Sequence, residues 1–401
     1  MPIIKLLVKP DNLFLTHVLY EGILVVLQHN RDYVKITPDR IELPRDALRK
    51  AFEDIAMDEK LSKHYRSVSI GLAGNDIKHD LGGKLLGELG IMTSEKIKSI
   101  GQVINFILDN PERIQDIGDT VLTYNIKRDF IVGKSGGKLL SGLQIFKVDR
   151  YTGLTSLDAG TTYQHYTLRF DPILLFFAIL GLASSYSGGT RNLSYHLFLS
   201  PDEILEILIR NDREYLYNVM SVKRQVVERL REILRTRLPE EAIILRTLID
   251  LGLQDMLARY EIEYLSLQLY VVAREGNTFK IYNKIPLTLY AHPYYIEVLR
   301  NITSDPKKLL EAIQEALEPK SPLITALQSL DTINKSPDAS HALNAVRELY
   351  RFISSGSLDA LYAFLRELEM AGKVLEQDGS PKSIRLAEKY KYLLSRISSS
   401  I

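Results

Sequence analysis

Apolar and polar positions change period repeatedly over the first 302 residues of this 401-residue chain, and from 303 onwards they keep a single period. Ile3–Val8 reads as a strand. Leu13–Leu27 is apolar on nearly every side, the pattern of a buried helix. Tyr33–Leu43, punctuated by Pro38 and Pro44, predicts a strand or hairpin edge, and Arg45–Asp58 an amphipathic helix. Gly71, Gly74, Gly82, Gly83, Gly87, Gly90 and Gly101 mark turns and close backbone approaches. Ser94–Leu108 predicts a helix. Residues 119–170 read as β-rich, with strands at Thr120–Ile126, Gly142–Val148 and Thr161–Phe170 and a flexible loop at Val132–Gly142. Pro172–Ala183 is the most apolar run, about half the length that spans a bilayer, so it predicts a buried helix and no membrane insertion.

Ser184–Asn192 reads as a loop and Tyr195–Leu199 as a strand. Ser200-Pro201 starts a long helical region running towards Arg237, which Pro239 ends. Leu265–Ala273 and Thr278–Tyr282 predict a hairpin around Glu275-Gly276-Asn277. From 303 the strands stop. Helix starts at Asp305-Pro306, Ser336-Pro337, Ser357 and Ser380-Pro381 precede one-sided apolar stripes, the pattern of a helical bundle. The expected fold class is α+β: a mixed α/β body over 1–302 for nucleic-acid and subunit contacts, then an all-α bundle over 303–401.

Composition narrows the chemistry. Lys and Arg number 51 against 50 Asp and Glu, so any contact with nucleic acid must be local and not a property of the whole field. The absence of Cys excludes disulfides, thiolate metal sites and Cys nucleophiles. It suits a cytoplasmic protein and a hot cell. The start, Met1-Pro2-Ile3-Ile4-Lys5, carries no secretory pattern.

The motifs point to binding and away from catalysis. His79-Asp80, with His64 and Asp76 nearby, has the residue types of a two-metal phosphohydrolase, yet it lies in a glycine-rich stretch without helical i, i+4 presentation. Gly133 to Lys138 fails the P-loop spacing, because Gly133 and Gly137 are four apart and Leu139 follows the lysine. What remains is a basic loop. Over 123–150, Lys127, Arg128, Lys134, Lys138, Lys147 and Arg150 face only Asp129 and Asp149, an excess of +4. Such a loop suits a phosphodiester backbone. The region 210–237 holds eight basic residues, Lys223, Arg224 and Arg231 among them, against four acids. Gly188-Gly189-Thr190-Arg191-Asn192 offers donors and acceptors for base edges. Residues 305–401 balance at 13 basic and 13 acidic, but Lys382, Arg385, Lys389, Lys391 and Arg396 against Glu388 leave +4 at the end. No nucleophile elbow or paired-carboxylate pattern stands out, so no catalytic residue, metal ligand or cofactor is assigned.

The passage LRFDPILLFFAILGLASSYSGGTRNLSYHLFLSP, Leu168–Pro201, and the order of a mixed body and a helical tail resemble the large subunit of type I CRISPR interference complexes (Cascade), most like subtype I-A. The resemblance implies a non-catalytic subunit that checks the short flanking motif on target double-stranded DNA and recruits the nuclease-helicase. Its partners would be guide RNA, target duplex and the other Cascade subunits; base pairing would read the sequence and the protein the short motif. From the residues themselves, Arg128, Lys134, Lys138, Lys223, Arg224 and Arg231 are expected to hold phosphates, and Arg191 and Asn192 to approach base edges. Two readings compete: a metal-dependent phosphohydrolase or nuclease on His79-Asp80, and a protein–protein adaptor without nucleic-acid contact.

Overall fold

A computed structural model of the chain describes residues 1–30, 34–126, 129–134, 138–151, 167–190, 192–235, 240–330 and 336–401. Strand β1 (Ile3–Leu6) leads into α1 (Phe14–His29), the hairpin β2 (Lys35–Thr37) and β3 (Arg40–Glu42), then helices α2 (Ala47–Met57), α3 (Glu59–Arg66), α4 (Gly74–Lys78), α5 (Leu81–Glu88) and α6 (Ile100–Asp109). Short strands β4 (Thr120–Leu122), β5 (Tyr124–Ile126), β6 (Phe130–Val132) and β7 (Leu140–Ser141) precede a 3-10 helix over Gln144–Tyr151. Then come β8 (Leu168–Phe170), α7 (Pro172–Ser185), β9 (Tyr186–Gly189), β10 (Leu193–Leu199), α8 (Pro201–Arg210), α9 (Arg213–Leu234), α10 (Glu240–Leu248) and α11 (Leu251–Arg259). The long strands β11 (Tyr264–Glu275) and β12 (Thr278–Tyr290) are followed only by helices: α12 (Tyr294–Arg300), α13 (Pro306–Ala316), α14 (Pro322–Gln328), α15 (Ala339–Ser355), α16 (Leu358–Asp378) and α17 (Pro381–Ser398). The fold is α+β. No described helix is long and apolar enough to cross a membrane.

The chain forms two compact units, residues 1–227 with 266–286, and residues 228–265 with 287–401. The expected boundary at 302/303 falls inside the second unit, because 228–265 and 287–302 pack with the C-terminal helices.

The first unit is organised by α1 and α7, both apolar almost all round. Glycine lets their backbones touch. A Cβ at Gly22 would stand 1.9 Å from the Phe177 carbonyl oxygen, and one at Gly181 would stand 2.0 Å from that of Val18. The close approach offsets what glycine costs inside a helix. The start of α1 rests on a four-stranded sheet ordered β12-β11-β10-β9, where Leu193↔Ala273 through Leu199↔Leu267 set the antiparallel register. Phe14 meets His196, Phe198 and Tyr270 edge-on at 5.4 to 5.5 Å, an arrangement aromatic rings favour. The glycine-laced stretch receives the tip of the β11–β12 hairpin: Arg274 Nη1 and Asn277 Oδ1 occupy the places of Cβ atoms at Gly71 and Gly74.

Three expectations differ from the structure of this unit. Gly142–Val148 is not a strand, because buried Asp76 accepts the backbone N–H of Gln144 at 3.1 Å and starts a 3-10 helix there. Ser184–Asn192 is not all loop, because Tyr186–Gly189 pairs with β10 around a tight turn in which Thr190 N–H donates to Leu193 O at 2.8 Å. The helix from Pro201 is broken where Asn211 adopts a left-handed φ of 49°. Of Thr161–Phe170, residues 161–166 lie outside the described residues.

The second unit is helical apart from the strand ends it contains. Asp305, Ser321 and Ser380 cap α13, α14 and α17 by accepting backbone N–H groups, each with Pro at the next position. Helix α15 packs against α16, and α16 against α17. Gly356 and Gly379 end α15 and α16 at φ of 69° and 71°, where a side chain would be strained. Ser357 precedes α16 without a side-chain cap, and Asp338, not Ser336, holds the N-cap position of α15. Asp338 instead accepts the Tyr390 hydroxyl of α17 at 2.9 Å, fastening the last helix to the bundle.

Candidate nucleic-acid interface

The structure disperses the basic residues named from the sequence. Arg128 and Arg191 lie outside the described residues. Lys134 is exposed behind Gly133, whose φ is 105°. It stands close enough to Asp171 to oppose, by its charge, the rise that burial gives that carboxyl. Lys138 is 69 % exposed but ion-paired with Glu88 of α5. It edges a cleft of about 350 Å³ whose wall also carries Glu88, Asp116 and Asp171. Glu88 beside Lys138 and Asp171 near Lys134 weaken the attraction of these two cations for a phosphate.

Lys223 requires a correction. Its side chain is 1 % exposed and ion-paired with Glu21, itself 1 % exposed, and the Ser184 hydroxyl donates to the same carboxylate. Burial lowers the Lys223 pKa and the neighbouring Glu21 resists the shift. A lysine sealed between α1 and α9 holds this interior together and cannot meet a phosphate. Arg224, the next residue, is half-buried near His29 and Tyr65. Arg231 is half-buried in the second unit. Asn192 is exposed at the β9–β10 turn, with its carbonyl accepting the Arg274 N–H at 2.7 Å.

The metal-centred residues do separate structural jobs. His64 is buried with Nε2 3.3 Å from the Ala183 carbonyl oxygen. Asp76 also accepts the Ala73 N–H, and Asp80, at a left-handed φ of 49°, accepts the Gly83 N–H. His79 is exposed. Among the described residues no three His, Asp or Glu side chains converge to hold an ion.

Sequence reasoning missed a buried charged cluster at the start of α1. Asp149, on the 3-10 helix, accepts the N–H groups of Phe14 and Leu15 at 2.9 and 3.1 Å, and Asp11 accepts that of Leu13. Burial pushes the Asp149 carboxyl up to about 6, against the pull of those two N–H groups. Lys284 faces both carboxylates and donates to Asn12, and the Tyr270 hydroxyl donates to the Asn12 carbonyl at 2.8 Å. The cluster closes a helix end. No local pattern marks it, because its partners are up to 272 residues apart.

Among the described residues, a line of exposed cations lies on the outer face of α17. Ser383, Ala387, Tyr390, Leu393 and Ile397 are its buried side. Lys382, Arg385, Lys389, Tyr392 and Arg396 are exposed and follow each other at intervals of three and four residues. At 3.6 residues per turn they fall within an arc of about 80°. Arg396 pairs with Glu315 of α13 at 3.3 Å, and Lys391, on another side, pairs with Glu376 of α16. No carboxylate pairs with Lys382, Arg385 or Lys389 among the described residues. Tyr392, 55 % exposed, sits within this line. The sequence showed the local excess but not that it gathers on one outward face.

Over 402 aligned positions the chain is 30 % identical to an uncharacterized protein of Archaeoglobus fulgidus, an alignment covering 98 % of this chain and 99 % of the other. The chain belongs to the family of that archaeal protein. The match runs through both units. No family model and no solved structure matches.

Proposed function

We propose that the protein is the non-catalytic large subunit of a CRISPR RNA-guided, DNA-targeting complex of the Cascade kind, contacting the flanking motif of target DNA and recruiting the nuclease-helicase. The observation that carries the reading is the outer face of α17, where three cations without carboxylate partners among the described residues stand in a row with an exposed tyrosine. A net charge of +1 leaves no general attraction for polyanions, so a concentrated face of this kind is what nucleic-acid contact requires. The likeness of Leu168–Pro201 to the Cascade large subunit supports the same reading; those residues form β8, α7, β9 and β10, the centre of the first unit.

The test is isolation of the native assembly. The expected result is that the protein comes out with guide RNA and sibling subunits, and that removing it abolishes binding to target duplex bearing the flanking motif. Isolation as a free protein, without RNA and without duplex affinity at low salt, would overturn the proposal.

A further inference from the structure

We propose that a cleft in the second unit binds a small zwitterion with an apolar body, of the class of an apolar dipeptide with both termini free. Arg300 and Lys307 take its carboxylate, and Asp255 and Glu297 take its ammonium group. This site is independent of the nucleic-acid reading above, and either can fail without the other. The cleft has a volume of about 510 Å³ and is lined by α11, α12 with the residues just before it, and the start of α13. Pockets that hold small ligands span roughly 300 to 1,000 Å³. Helix α11 contributes Leu251, Gln254, Asp255 and Ala258, the i, i+3, i+4, i+7 face of one helix. Ile296 and Leu310 complete an apolar floor with Leu251 and Ala258.

The charges decide the ligand. In two other clefts, cations and carboxylates neutralise each other: Arg229 pairs with Glu232 and Asp250, Arg246 with Glu318, and Lys138 with Glu88. Here Asp255, Glu297, Arg300 and Lys307 line one cleft and are exposed, yet none of them forms an ion pair among the described residues. Two other polar side chains of the lining are already engaged. Asp305 accepts the Lys308 N–H at 3.1 Å as the cap of α13, and Gln254 donates to the Leu248 carbonyl. His292 is exposed at the rim. Opposite charges that share a cleft without touching each other leave a gap. An anion alone would meet the two carboxylates, and a cation alone would meet Arg300 and Lys307. A molecule with both charges, separated by its own length, satisfies all four groups. The planar fork of Arg300 suits a carboxylate, and the apolar floor between the charges suits aliphatic or aromatic side chains.

Calorimetric titration of the full chain with leucyl-phenylalanine, its N-acetyl derivative and its C-terminal amide separates the two charges. The free dipeptide is expected to bind, and each capped form to bind about tenfold more weakly. Arg300→Ala/Lys307→Ala should bind the free dipeptide about tenfold more weakly and no longer distinguish it from the amide. Asp255→Asn/Glu297→Gln should lose the same factor and no longer distinguish it from the N-acetyl form. Ala258→Trp fills the cleft from an exposed position, leaves all four charges in place and should abolish dipeptide binding while oligonucleotide affinity stays that of the parent. Circular dichroism confirms that each variant is folded. Capped forms that bind as tightly as the free dipeptide would overturn the zwitterion, and a parent that binds none of the three at millimolar concentration would overturn the site. Dipeptide binding unchanged by Ala258→Trp would place the ligand elsewhere and overturn it as well.

Discussion

Two segments of this chain carry the same local charge excess, and the cations described in them meet different neighbours. Residues 123–150 and the last helix each hold four more cations than carboxylates in sequence. In the first unit, Glu88 pairs with Lys138, Asp171 stands by Lys134 and Asp76 is near Lys147, all carboxylates from elsewhere in the chain. In the second, Glu315 and Glu376 take Arg396 and Lys391, and Lys382, Arg385 and Lys389 stay outward. A field is set by neighbours in space. Charge counted along a window says how many cations a segment brings and nothing about which carboxylates will meet them.

Lys223 gives the sharpest way to break this contrast, because the first unit spends it inside. Lys223→Ala leaves the Glu21 carboxylate buried alone and should cost roughly 3–5 kcal/mol in urea unfolding. Glu21→Leu with Lys223→Met should recover most of that loss. A Lys223→Ala protein as stable as the parent but weaker on nucleic acid would return this lysine to the surface role expected from the sequence.

Asp149 makes the next largest contribution, and it depends on pH. Its folded pKa, about 6, lies above the ordinary 3.8, so its contribution to stability is fullest below about pH 4 and is lost as pH rises through 6. The difference amounts to about 3 kcal/mol at pH 7. Unfolding free energies measured from pH 4 to 7.5 should therefore decline by that much in the parent relative to Asp149→Asn, which does not titrate and whose single amide oxygen can still accept from Phe14 while the Leu15 N–H loses its acceptor. Parallel profiles would show that the carboxylate is not held at a cost.

The two basic segments can then be compared directly. Losing Lys382, Arg385 and Lys389 should lower the slope of log affinity against log salt by about 2 for single strands. Because these side chains are exposed, stability should move by no more than about 0.5 kcal/mol. Lys134→Ala with Lys138→Ala, the pair the sequence favoured, should change the slope by less than about 1. A larger effect from the loop pair than from the α17 triple would reverse the comparison.

Much of the fold was legible because its signals are local. The apolar runs that became α1 and α7, the Asp305-Pro306 and Ser380-Pro381 caps, and the hairpin around Gly276 depend on neighbours within a few residues. Gly142–Val148 was misread because the determinant of its 3-10 helix, Asp76, lies 68 residues away. The break at Asn211 has no proline or glycine to announce it; the residue takes a left-handed conformation that asparagine tolerates better than most. The candidate site was half legible. Its cations were counted, but that three of them share an outward face with Tyr392 follows from which side of α17 the bundle buries, and Lys223 was lost to the surface through Glu21, 202 residues away.

The central claim is that nucleic acid meets the outer face of α17 and not the basic loop. Photo-cross-linking of a single-stranded oligonucleotide to the full chain, with the attached peptides identified by mass spectrometry, tests it most directly. The account predicts adducts between Lys382 and Arg396, with Tyr392 prominent. Adducts confined to Lys134, Lys138 or Asn192, with none on α17, would contradict it.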